Sequence, residues 1–154
     1  MEGLRRRCER RLRGVRVPHP FDLDNFSAEI AGLRGRPLHR MPLPGLGSGA
    51  PCGIWMATPT ADYVFYDPDT SPLHAEHIVL HEIAHILCGH TAAGAGTALF
   101  PDLDPALIAS VLGRAGHTTA QEREAEMLAS LIRTAGRPPQ DDPLSRIAGA
   151  LGVP

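Results

Sequence analysis

His81-Glu82-Ile83-Ala84-His85 is an H-E-x-x-H motif. Two histidines at i and i+4 lie one turn apart on one face of a helix, so both imidazoles can reach a single ion. Zn²⁺ takes histidine nitrogen at about 2.0–2.1 Å in tetrahedral geometry. Glu82 falls on the flank of that face, where it can touch water at the ion without being a ligand itself. Water activation for hydrolysis requires that arrangement. The motif therefore nominates His81 and His85 as a metal pair and Glu82 as the group that handles the proton.

The neighbours are less specific. His77 lies one turn before His81, and Cys88 three residues after His85. One helix rarely aims three consecutive turns at one tetrahedral centre, so both read as packing or supporting groups. His90 follows Gly89, where the helix is expected to stop, and reads as a structural or capping histidine. The longer H-E-x-x-H-x-x-G-x-x-H pattern fails, because Cys88 and Thr91 stand where its Gly and third His would be. A third ligand must come from elsewhere, and the acidic stretch Gln121-Glu122-Arg123-Glu124-Ala125-Glu126 is the best source. Glu122 shares a helical face with Ala125, Ala129 and Ile132. Glu126 follows one turn later, placed to buttress a metal-site histidine. Glu124 lines up with Leu128 and Leu131 and is the fallback ligand. Thr119-x-x-Glu122 also has the form of a capping box, which competes with a ligand role for Glu122.

The elements that must position these groups follow from pattern and punctuation. Residues 2–13 read as a short Arg-rich helix ended by Pro18 and Pro20. A second helix starts at an Asp22 or Asp24 cap and runs to about Leu33, with Phe26, Ile30 and Leu33 on its apolar face. Leu38–Leu43 is strand-like, and the Gly- and Pro-rich stretch 42–51 is a loop. Gly53–Thr58 and Ala61–Tyr66 form a strand pair around Pro59-Thr60. From Pro72 to Cys88 the pattern is helical, with Gly89 as its stop. Residues 91–103 form a loop, Asp104-Pro105 opens a helix to about Leu112, and Thr118 or Thr119 opens a last helix to about Thr134. Pro138, Pro139 and Pro143 lead into a C-terminal tail over 137–154. The helix over 75–88 is apolar nearly all round and so is expected to be buried. Burying His77, His81, Glu82 and His85 there without partners would be costly, and a metal ion offsets that cost.

Composition bounds the remaining choices. The chain has 154 residues, which fits one domain spanning 1–154. Hydrophobic residues make up 43% and charged residues 21%, as in ordinary soluble globular proteins. The formal net charge of -2 gives no global attraction to DNA or anionic membranes. All 15 basic residues are Arg, and seven of them fall in the first 16 positions. No aromatic interleaves them, and Leu4, Cys8, Leu12 and Val15 run at helical spacing. The cluster reads as the solvated face of a helix rather than a nucleic-acid arm. No apolar run is long enough for a membrane span, and no apolar segment follows the arginines as a secretion signal requires. Cys8, Cys52 and Cys88 make neither a disulfide framework nor a C-x-x-C site, which points to a reducing, cytoplasmic setting.

His81-Glu82-Ile83-Ala84-His85-Ile86-Leu87-Cys88-Gly89-His90, followed by Glu122-Arg123-Glu124-Ala125-Glu126-Met127-Leu128-Ala129, resembles the ImmA/IrrE family of metallopeptidases. The similarity covers roughly Ala61 to Ile132, and the first motif is its more specific part. It implies an α+β, zincin-like fold: a small antiparallel or mixed three-stranded sheet packed on the H-E-x-x-H helix, with further helices. It also implies Zn²⁺ held by His81, His85 and Glu122, with Glu82 as catalytic base. Its implied substrate is a protein, such as a helix-turn-helix repressor cleaved in the cytoplasm. The chain departs from the family at Glu126, where Asn is usual, and at Leu128, where Phe is usual.

Two functional classes follow. In the first, a regulatory endopeptidase, Glu82 takes a proton from water and returns it to the leaving amine. His117, Tyr63 and Tyr66 are candidate oxyanion donors there, and strand Ala61–Tyr66 is a candidate edge for an extended substrate. In the second, a silent metal-binding regulator of toxin–antitoxin type acts by holding a partner. No membrane or direct nucleic-acid partner is expected in either.

Overall fold

The helix α3 (Pro72–Cys88) begins and ends where local chemistry requires. The Ser71 side chain accepts the His74 N–H at 3.1 Å, and Pro72 takes the first helical position, where a missing N–H costs nothing. Gly89 ends it with φ 72°, a left-handed conformation that glycine adopts without strain. The computed structural model describes residues 3–44, 53–90 and 118–136. The other elements there are α1 (Leu4–Leu12), α2 (Leu23–Arg34), β1 (Leu38–Pro42), β2 (Gly53–Ala57), β3 (Asp62–Tyr66) and α4 (Thr119–Ala135). The class is α+β, as expected, with four helices and a small mixed sheet among the described residues. The expected helix 104–112, loop 91–103 and tail 137–154 lie outside them, as do Cys52 and His117.

The sheet order is β1-β3-β2. β3 is parallel to β1, with Leu38 opposite Asp62, and antiparallel to β2, with Trp55 opposite Val64. Thr58 closes the β2–β3 turn: its N–H donates to Ala61 O at 2.8 Å, and its Oγ1 accepts the Ala61 N–H at 2.8 Å. Pro59-Thr60 thus sits at the tip of the expected hairpin. The pairing also overturns one expectation. β3 is flanked on both sides, so the strand Ala61–Tyr66 has no edge to offer an extended peptide.

Asp62 opens β3 and is 1% exposed. Burying a carboxylate is costly unless it is paired and hydrogen-bonded. Arg34 at the end of α2 supplies two such bonds, at 2.8 and 2.9 Å, and the Trp55 indole N–H adds a third at 3.2 Å. This pairing ties α2 to the hairpin.

The core lies between the sheet and the helices. Phe26 and Ile30 from α2, Val64 from β3, Leu80 and Ile83 from α3, and Leu128 and Ile132 from α4 are fully buried. Each such side chain stabilises the fold by about 1.5–3 kcal/mol relative to exposure. On α1, Cys8 is buried, while Leu4 and Leu12 pack against the same core. The arginines around them are mostly on the solvent side, as the helical spacing predicts, although Arg7 and Arg11 reach Glu124 on α4. No helix among the described residues is long and apolar enough to cross a membrane.

Candidate metal centre

α4 opens at the first of the two threonines that the sequence offered. The N-cap is Thr118: its Oγ1 accepts the Gln121 N–H, and Gln121 Oε1 accepts the Thr118 N–H. The capping box is thus made by Thr118 and Gln121, not by the competing pair Thr119 and Glu122. The consequence is functional, because Glu122 is released from capping and keeps its carboxylate for the facing helix. The contacts then run in opposite order along α3 and α4. His77 meets Glu126 and Arg133, while His90 meets Glu124, so the two helices lie antiparallel.

That crossing brings together the residues nominated from sequence. Glu122 Oε2 is 2.9 Å from His81 Nε2, and Glu122 Oε1 is 3.3 Å from His85 Nε2. One ligand atom from each of His81, His85 and Glu122 lies within 4.8 Å of the others. A tetrahedral zinc with bonds of 2.0–2.1 Å has donor–donor edges of about 3.3–3.4 Å, which the 4.8 Å bound on these three atoms admits. The donor set fits as well: two imidazoles and one carboxylate are the three-ligand pattern of catalytic zinc sites.

A second observation favours a cation here. His81 has a carboxylate oxygen against each ring nitrogen, Glu122 Oε2 at 2.9 Å and Glu126 Oε2 at 3.0 Å. A neutral imidazole carries a single N–H, so it can satisfy only one of these acceptors. The other contact calls for a second proton or a metal ion. Glu126 takes the buttressing place expected for it, opposite His81 Nδ1. His77 holds the other oxygen of Glu126 at 2.9 Å, and Arg133 lies 3.2 Å from His77 Nδ1. Burial pushes the Glu126 carboxyl up, but the hydrogen bonds and charges of His77 and then His81 outweigh it and hold it below its ordinary value.

Glu82 lies beside this group but under the sheet, only 6% exposed. Burial pushes its carboxyl up to about 7; Glu122 adds to the rise, while His81 and a hydrogen bond from the Trp55 backbone N–H oppose it. β2 approaches so closely because residue 53 is glycine. A Cβ there would stand 2.6 Å from Ile78 Cγ2 and 3.0 Å from Glu82 Cγ. Gly53→Ala is accordingly expected to destabilise the protein by about 1–3 kcal/mol through overpacking, as read by urea unfolding. Unchanged stability would mean that β2 does not press on Glu82.

The remaining candidates separate. Glu124, the fallback ligand, meets His90 Nε2 at 3.1 Å and groups with Cys88 and His90. His90 Nδ1 in turn lies 2.8 Å from His85 Nδ1. Cys88, His90 and Glu124 thus form a second group of possible metal donors within 4.8 Å of one another. Burial, with the hydrogen bond and charge of Glu124, pushes the Cys88 thiol up to about 12, which makes it a neutral donor to that carboxylate. The role of His90 was not evident from sequence. The only hint was Gly89, whose left-handed turn folds the next residue back so that His90 N–H donates to His85 O at 3.1 Å.

Tyr63 does not suit an oxyanion role. Side chains alternate along a strand, so Tyr63 points opposite to the core residue Val64 and stacks with Phe65 and His39 on the other face. Tyr66 lines a cleft of about 480 Å³ with Leu38, Pro72 and Val79, beside the N-terminal half of α3.

No protein-family model, curated protein or solved structure matches the chain.

Proposed function

We propose that this chain is a zinc-dependent endopeptidase of ImmA/IrrE type that acts on a regulatory protein, with a helix-turn-helix repressor as the leading substrate class. One observation carries the reading: His81, His85 and Glu122 converge from two helices while the buried carboxyl of Glu82 lies at their flank. A zinc ion on the three ligands would supply Lewis acidity, acidifying water and polarising a carbonyl. Glu82 accepts the proton of the attacking water at its carboxylate and delivers it to the departing amine. The Trp55 N–H holds one side of that carboxyl and so fixes its orientation. Glu126 and His77 hold the His81 ring from behind. An extended substrate has β2 as its place to pair. Among the described residues β2 pairs with β3 alone, and it passes directly over Glu82.

The test is to purify the chain, measure bound metal by elemental analysis, and incubate it with Zn²⁺ and casein, and separately with helix-turn-helix repressor proteins. Stoichiometric zinc with cleavage that a chelator abolishes is the expected result. Zinc without cleavage of either protein would move the assignment to a silent metal-binding regulator. Absence of bound metal would overturn both.

A further inference from the structure

The two ligand histidines are supported in different ways. His81 Nδ1 meets a carboxylate directly, that of Glu126 at 3.0 Å. His85 Nδ1 meets another imidazole, His90 Nδ1 at 2.8 Å, and His90 Nε2 then meets Glu124 Oε1 at 3.1 Å. His85 is 1% exposed, and the His90 and Glu124 side chains are 8% and 13% exposed. Water therefore contributes little to holding these rings.

Hydrogen-bond directions follow from what each group can do. A carboxylate only accepts, so His90 carries its hydrogen on Nε2 and donates to Glu124. In neutral His90 the Nδ1 is then an acceptor. Between the two facing Nδ1 atoms only one hydrogen fits, so His85 supplies it. That leaves the His85 Nε2 lone pair directed toward Glu122. Arg7 and Arg11, at 3.5 and 3.8 Å, surround Glu124 with positive charge.

We propose that His90 and Glu124 are positioning residues that fix the ring and tautomer of His85, so that His85 presents Nε2 to a metal ion. The assignment rests on the metal-centre reading above. It also decides between two uses of one cluster. An ion on Cys88, His90 and Glu124 would take the His90 Nε2 lone pair and drive the hydrogen to His90 Nδ1. His85 would then have to carry its own hydrogen on Nε2, facing Glu122. The two groups compete through one shared hydrogen, so of these two described groups only His81, His85 and Glu122 holds an ion.

Three measurements test this. Long-range ¹H–¹⁵N spectra of the metal-free protein are expected to show His85 as the Nδ1–H tautomer. Chelator competition is expected to show about 10–100-fold weaker zinc binding for His90→Phe. His90→Gln keeps an acceptor for His85 and is expected to recover most of that loss. Elemental analysis is expected to give one zinc per chain, unchanged in Cys88→Ser. Wild-type affinity and an unchanged His85 tautomer in His90→Phe would overturn the proposal. So would two zinc ions per chain, one of them lost in Cys88→Ser. Should the wild type bind no zinc, the metal-centre reading falls by itself. The metal-free spectrum then decides the positioning role: Nε2–H on His85 overturns it, and Nδ1–H that is lost in His90→Phe supports it.

Discussion

Glu82→Gln is expected to lower casein cleavage by about 10²–10⁴-fold, the usual contribution of a positioned proton-transfer group, while zinc content stays at the wild-type level. The substitution keeps the shape of the side chain. Its amide oxygen can still accept the Trp55 N–H that now holds the carboxyl. It also removes an ionisable group from a site that is 6% exposed, so unfolding free energy should stay within about 1 kcal/mol of wild type or rise. Loss of turnover with intact metal and fold isolates the proton-handling role from ligation. Equal cleavage by Glu82→Gln and wild type would remove Glu82 from the chemistry. Full partner regulation by a variant that cleaves nothing would instead favour a role in binding.

Much of this geometry was legible in the residues because it is local. α3 was readable along its length: a continuous apolar run from about Pro72 and a glycine stop are signals within one segment, and the i, i+4 spacing of His81 and His85 needs nothing else. Glu122 was harder. Its role depended on whether Thr118 or Thr119 caps α4, a shift of one residue that decides whether the carboxylate bonds its own helix or faces the next. The hairpin around Pro59-Thr60 was also local, but the central place of β3 was not. It depends on the parallel pairing of β1, which no turn adjoining β3 announces. Tyr63 failed for the same reason, since the face a strand residue occupies is set by what the strand packs on. The pairing of His90 with Glu124 was hidden most deeply. It needs both the left-handed turn at Gly89 and the antiparallel crossing of α3 and α4.

Removing a ligand should separate Glu122 from Glu124 and test the cation itself. His81→Ala and Glu122→Ala are each expected to abolish stoichiometric zinc binding, whereas Glu124→Ala should retain zinc with weaker affinity. Glu122 and Glu126 side chains are 46% and 53% exposed, so water can solvate them once His81 is gone. The variants should therefore fold, and their defect should be in metal binding. Stability supplies an independent reading. A ligand that binds only the folded state at 100 times its Kd adds about 2.7 kcal/mol. For a chain of this size each kcal/mol moves Tm by about 2–4 °C, so saturating Zn²⁺ should raise the wild-type Tm by roughly 5–11 °C. His81→Ala and Glu122→Ala should show no such rise. The physical reason is the crowding of carboxylates: Glu82, Glu122 and Glu126 all surround His81, and in the absence of a cation that histidine satisfies them with protons alone. A zinc-dependent rise in Glu122→Ala equal to wild type, with its loss in Glu124→Ala, would transfer the third ligand to Glu124 and the ion to the Cys88 side of His85.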